Sequence, residues 1–127
     1  MKKIAHTMPA LLLLAALSAC SLVPSFNGSR IGNDSQLLME YSLFNSTYSQ
    51  QLTLEAGDML LGETVCEAGK LSVTLEKEGA HPPVFQQENI PTGTVRIDIE
   101  EDGEYTLTVT GENARGSLYF AKAGAKP

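Results

Sequence analysis

Thr94-Val95-Arg96-Ile97-Asp98-Ile99-Glu100-Glu101-Asp102-Gly103-Glu104-Tyr105-Thr106-Leu107-Thr108-Val109-Thr110 is the stretch that decides the fold class. Val95, Ile97 and Ile99 occupy every second position, and so do Tyr105, Leu107 and Val109. A strand turns successive side chains to opposite faces, so each run predicts a half-buried strand with those residues inward. Glu101-Asp102-Gly103 between them is a hairpin signal. Residues 70–77 repeat the pattern, with Leu71, Val73 and Leu75 inward and Ser72, Thr74 and Glu76 outward.

The same rule extends in both directions. Strands are expected over residues 37–44 (Met39, Tyr41 and Leu43 on one face), 48–54 (Leu52 and Leu54 inward) and 59–68 (Leu60, Thr64 and Cys66 inward). After Glu78-Gly79-Ala80-His81-Pro82-Pro83, the prolines leave residues 84–87 at most an edge strand. Residues 117–121 close the set with Leu118 and Phe120. Asn45-Ser46, residues 55–58, Ala68-Gly69 and residues 111–116 are read as turns. About eight short strands with one polar face each predict an all-β, antiparallel two-layer β-sandwich.

The chain opens differently. Met1-Lys2-Lys3 is basic, and apolar residues dominate from Met8 to Leu17. That run is shorter than the roughly 20 residues a bilayer span needs, which fits a secretory signal peptide. Leu17-Ser18-Ala19-Cys20 resembles the lipobox of bacterial lipoproteins. The resemblance implies cleavage between Ala19 and Cys20 and acyl chains on Cys20, anchoring the protein to a membrane. An ordinary secretory signal cut elsewhere would instead leave Cys20 a spare thiol. Ser21, where an Asp would favour retention at the inner membrane of enteric bacteria, points outward. An outer-membrane, extracytoplasmic location is expected if the host is Gram-negative. Residues 20–35, rich in Ser, Asn and Gly, read as the lipidated Cys and a flexible tether. The expected organisation is therefore signal 1–19, tether 20–35, sandwich 36–122 and tail 123–127.

Asp102-Gly103-Glu104-Tyr105-Thr106-Leu107-Thr108-Val109 resembles the D-G-x-Y-x-L-x-V segment of Ig-like and jelly-roll-like extracellular sandwiches. In Ig-type domains such a Tyr forms a corner, its hydroxyl bonding upstream backbone. The wider pattern over residues 47–121 is similar to small sandwich lipoproteins of uncharacterised function. That architecture serves many roles and assigns none.

Composition narrows the functions. The chain has 9 Lys plus Arg against 15 Asp plus Glu. Lys2 and Lys3 leave with the signal, so the mature balance is 7 against 15, or −8. This argues against nucleic acid and against adsorption to anionic lipid. Cys66 is the second cysteine and His81 the single histidine after the signal, so a thiol nucleophile would need that pair. Glu100-Glu101-Asp102 lacks the D-x-D-x-D-G spacing of a calcium loop and reads as a solvated turn. There is no C-x-x-C for zinc and no G-x-S-x-G elbow. No catalytic residue, metal or cofactor is expected. Tyr48, Phe85 and Tyr119 are the candidate sugar-stacking rings. The sequence thus predicts a non-enzymatic envelope lipoprotein with an interaction or structural role, partnered by the membrane and by an unidentified envelope protein or glycan. A ligand-, glycan- or cation-binding module is the alternative.

Overall fold

A computed structural model describes residues 25–80 and 82–123. The signal segment, Ala19, Cys20, His81 and residues 124–127 lie outside the described residues. Among the described residues seven strands form one antiparallel sheet: β1 (Phe26–Asn33), β2 (Gln36–Phe44), β3 (Thr47–Leu54), β4 (Met59–Lys77), β5 (Phe85–Gln87), β6 (Gly93–Asp98) and β7 (Gly103–Lys122).

The two long strands explain how one sheet becomes two layers. β4 and β7 pair along nearly their whole lengths, from Leu60 opposite Lys122 to Lys77 opposite Tyr105. β2 and β3 follow one another along the other side of β7, at Gln36–Phe44 and then Thr47–Leu54. All three lines bend at the same level. The bends fall at Asn45-Ser46, at the register shifts between Cys66 and Lys70, and at residues 111–114. Below the bend the order is β3, the first half of β7, the second half of β4, and β5. Above it the order is β1, β2, the second half of β7, the first half of β4, and β6.

This corrects three expected turns. Asn45-Ser46, Ala68-Gly69 and residues 111–116 reverse no strand; they are the corners of a folded sheet. Backbone chemistry permits it. Gly69 (φ 73°) and Asn113 (φ 51°) take left-handed conformations there, the signature of a bulge that bends a strand. A side chain on Gly69 would run into the Asn113 carbonyl oxygen.

Glu101-Asp102-Gly103 is a fourth correction. β6 pairs with β4 and not with β7, so this turn arches from one layer to the other. The arch from β3 to β4 beside it does the same. The two are stitched together by Gly57 N–H donating to Ile99 O and Ile99 N–H donating to Asp58 O, both 2.9 Å.

The expected tether is corrected from Phe26 onward. Residues 26–33 form β1, an edge strand whose residues after Phe26 are all exposed. Little side-chain burial means no apolar period to read. The strand is held by its ladder to β2, by Arg30 and by Gln50, whose Nε2 donates to Asn33 O at 2.9 Å. The Arg30 guanidinium sits 4.1 Å from the Phe26 ring centre and 4.6 Å from that of Tyr48, tying β1 to β3 across the layers.

The inner faces meet in one core that joins Leu37, Met39, Leu60, Leu118 and Phe120 to Leu52, Leu71, Val73, Leu75, Leu107 and Val109. The expected inward residues of residues 70–77 and 105–110 are buried. Two expectations shift at irregularities. A bulge between Tyr41 and Phe44 buries Phe44 in place of Leu43, and Cys66, at the bend, is half-buried. Thr64, buried among apolar neighbours, donates its hydroxyl to Pro91 O at 2.6 Å, satisfying the polar atom its strand phase carries inward.

Candidate functional site

Tyr105 anchors one end of the sandwich. Its ring lies in the core, and its hydroxyl donates to Glu101 O at 2.6 Å, four residues upstream. That is the corner bond the sequence resemblance implies. Burial pushes the phenol above its ordinary pKa, and the Glu101 carboxylate adds to the rise against an opposing effect of Lys77. The acids of the same arch are engaged structurally. Asp102 Oδ1 accepts from Ala56 N at 2.7 Å, and Glu101 pairs with Lys77 Nζ at 3.0 Å. Hydrogen bonding to Glu101 raises the Lys77 pKa. Glu100 is exposed and makes no hydrogen bond or ion pair among the described residues.

Beside this arch the two layers part between β5 and β6. A cleft of about 480 Å³ opens there. Val84, Phe85, Ile97 and Tyr105 give it an apolar floor, and Lys77, Arg96, Asp98, Glu100 and Glu101 surround it. Arg96 Nε lies 3.3 Å from Asp98 Oδ1, so the two cations that line the cleft among the described residues are already paired. Such a volume, with an apolar floor and a charged rim, is of the size that holds a small ligand or a few inserted side chains.

Charge is unevenly distributed along the sandwich. Asp34, Glu55, Asp58, Glu78, Asp98, Glu100, Glu101, Asp102 and Glu104 lie in or beside the loops at the Tyr105 end. Lys77, Arg96 and Lys122 are the cations there among the described residues. The bend end holds Glu67, Glu88 and Glu112 with Lys70 and Arg115. The chain enters at the bend end, where Asn45 N–H donates to Ser25 O at 2.7 Å.

A second surface lies on the outer face of the five-stranded layer. Ile31, Leu38 and Tyr119 stand side by side across β1, β2 and β7, with Leu61 and Val65 on the adjoining β4. Ile31 is 59% exposed, and Leu61, Val65 and Tyr119 are exposed as well. Tyr119 faces outward as expected, its hydroxyl donating to Gln36 Oε1 at 3.2 Å. Tyr48 instead lies under Arg30, and Phe85 belongs to the cleft. The three candidate sugar-stacking rings therefore share no platform.

Cys66 Sγ lies 3.6 Å from Gly69 O, and the Cys66 N–H donates to Thr92 Oγ1 at 2.8 Å. Its registered neighbours across β7 include Tyr41, whose phenol is pushed up to about 12, first by burial and then by Cys66. His81 lies outside the described residues, so the thiol pair is not placed. Among the described residues no group of three or more His, Cys, Asp and Glu side chains is arranged to hold a metal ion. Sequence reasoning missed the cleft because its walls come from four separate segments that only the arches bring together. The outward Leu61 and Val65 of residues 59–68 were a readable sign of the apolar face.

No family model matches the chain, and no curated protein matches it. Solved structures do. It is similar to PliG of Aeromonas hydrophila, a periplasmic lysozyme inhibitor of g-type lysozyme. The identity is 16%, over 71% of this chain and 88% of that one, with a TM-score of 0.52. A CBM4 structure matches at 10% identity over 79% of this chain and 76% of its own, with a TM-score of 0.40. The module TmCBM61, solved in complex with β-1,4-galactotriose, matches at 22% identity over 75% and 66%, with a TM-score of 0.38. The likeness to the lysozyme inhibitor concerns the fold alone.

Proposed function

We propose that this chain is an extracytoplasmic lipoprotein, cut before Cys20, acylated there, and displaying a non-enzymatic binding sandwich to the cell envelope. In a Gram-negative host the membrane is the outer one. The observation that carries the reading is the lipobox Leu17-Ser18-Ala19-Cys20 standing just ahead of the sandwich. With β1 beginning at Phe26, the tether shrinks to residues 20–24. Five residues reach at most about 18 Å at 3.3–3.6 Å each. The sandwich therefore stands close above the bilayer with its bend end inward, and the Tyr105 end with its cleft faces away. The use of the same fold by a periplasmic lysozyme inhibitor supports an extracytoplasmic, protein-binding role over a catalytic one.

The test is Cys20→Ala, with metabolic labelling by an alkyne fatty acid, processing and membrane fractionation read together. The variant should lose label, remain unprocessed by the lipoprotein peptidase and change its fractionation. Cleavage after Ala19 with unchanged membrane recovery would refute the anchor. Cross-linking of the wild type in intact envelopes should capture a partner. Its failure across the sandwich surface would refute the binding role.

A further inference from the structure

The cleft between β5 and β6 has an occupant that its chemistry selects. We infer that it docks a cationic polypeptide segment, an Arg- or Lys-bearing loop of a partner protein, and the inference rests on the binding role proposed above. A long basic side chain has an apolar stem and a charged head. The cleft offers both counterparts. Val84 is 46% exposed although apolar, and with Phe85 and Ile97 it forms a wall on which a methylene stem can lie. At the rim, Lys77 and Arg96 are paired with Glu101 and Asp98, while Glu100 has no partner among the described residues. The unspent charge at the cleft is therefore negative.

Other ligand classes fit worse. An anion would meet Glu100 and the acidic loops around it, with the two cations that line the cleft among the described residues already engaged. A purely apolar ligand would bury its surface beside a carboxylate that gains nothing and loses water. A cationic segment is attracted by the whole acidic end before it docks, since like-signed surface charge raises the rate of encounter with an opposite partner. The tether enters at the opposite end of the sandwich, so the cleft is open to a partner approaching from outside the membrane.

The experiment uses the acylated mature protein in detergent micelles and a fluorescein-labelled hexa-arginine peptide as probe, read by anisotropy at low salt. Glu100→Lys should weaken binding about tenfold, because it both removes an attraction and adds a repulsion at the contact. Val84→Ser should weaken it about threefold through the lost stem contact, without changing charge. Glu88→Lys makes the same change in net charge at the bend end and should alter binding by less than about twofold, as expected for a distant screened charge. All three positions are on the surface, and unchanged urea midpoints confirm folding. Equal losses for Glu100→Lys and Glu88→Lys, or no binding by wild type, would overturn the inference. If acylation and envelope cross-linking succeed while the cleft variants bind like wild type, the cleft assignment fails and the binding lipoprotein stands. If Cys20 is not acylated, the anchor fails, and the peptide titration still judges the cleft.

Discussion

Replacing Tyr105 by Phe isolates one hydrogen bond in this fold. The ring is 2% exposed and stays in place, so packing is preserved. What is lost is the 2.6 Å bond to Glu101 O. The net value of such a bond is about 1 kcal/mol, and stranding a buried acceptor would raise the cost toward about 3 kcal/mol. The bond is only part-buried, at an exposed residue, so the lower figure applies. The expected loss of about 1 kcal/mol corresponds to a fall in Tm of about 4–8 °C for a domain of this size. Tyr105→Ala should cost about 3–5 kcal/mol, because it also empties the core beside Leu107 and Ile97. Tyr119→Phe is the control: that hydroxyl also donates, but from an exposed ring, and its loss should stay within about 0.5 kcal/mol. Urea unfolding followed by far-ultraviolet circular dichroism measures all three. If Tyr105→Phe and wild type share a midpoint, the corner bond does not hold the arch. The reasoning that makes Tyr105 the anchor of the cleft end would then be wrong.

Two further outcomes test the bend. Gly69→Ala should cost more than about 2 kcal/mol, since its left-handed backbone disfavours a side chain and the Asn113 and Glu112 carbonyls occupy the space. Gly57→Ala, also left-handed but with open space around it, should cost only about 1 kcal/mol, and equal costs in urea would show that the corner is not close-packed. Tyr41, its phenol pushed up to about 12, should make the fold alkali-sensitive. A folded pKa raised above the unfolded value of about 10 contributes stability that is complete below pH 10 and is lost as pH rises toward about 12. Thermal midpoints of Tyr41→Phe should therefore fall less than those of wild type across that window, and parallel curves would refute the burial argument.

Period two made the inner faces of the sandwich readable. Leu71, Val73, Leu75, Leu107 and Val109 were expected in the core and lie there, because strand phase depends only on local alternation. Tyr105 was legible through its D-G-x-Y context, and its bond to Glu101 follows. Strand pairing was not legible. Gly69 and the Glu101-Asp102-Gly103 arch carry the same residues that a hairpin uses, since left-handed backbone serves a reversal, a bulge and an arch equally. Whether the chain returns beside itself depends on which distant strand competes for the ladder. Here β4 captures both β6 and β7. β1 was hidden for a different reason: with its side chains facing water, composition resembles a tether although the ladder to β2 is formed.

The bend also organises the surface. A sandwich built from separate hairpins can place its termini and loops at either end. Here β2 with β3, β4 and β7 all cross the same corner, so every arch between layers other than the one over residues 88–92 is pushed to the opposite end. The arches at residues 55–58 and 99–102 meet there, pinned by Gly57, Ile99 and the Asp102–Ala56 bond. That pinning holds Glu100 beside Ile97 at the mouth of the gap between β5 and β6. β1 runs from the bend toward the arches, so Ser25 is left at the bend beside Asn45. One geometric choice thus separates the incoming chain from the acidic, cleft-bearing end by the full length of the strands. At about 3.4 Å per residue, the eight residues of β1 give a separation of roughly 27 Å. Under the anchoring we propose at Cys20, the bend would face the membrane and the cleft would lie beyond the headgroups, open to the cationic partner we infer.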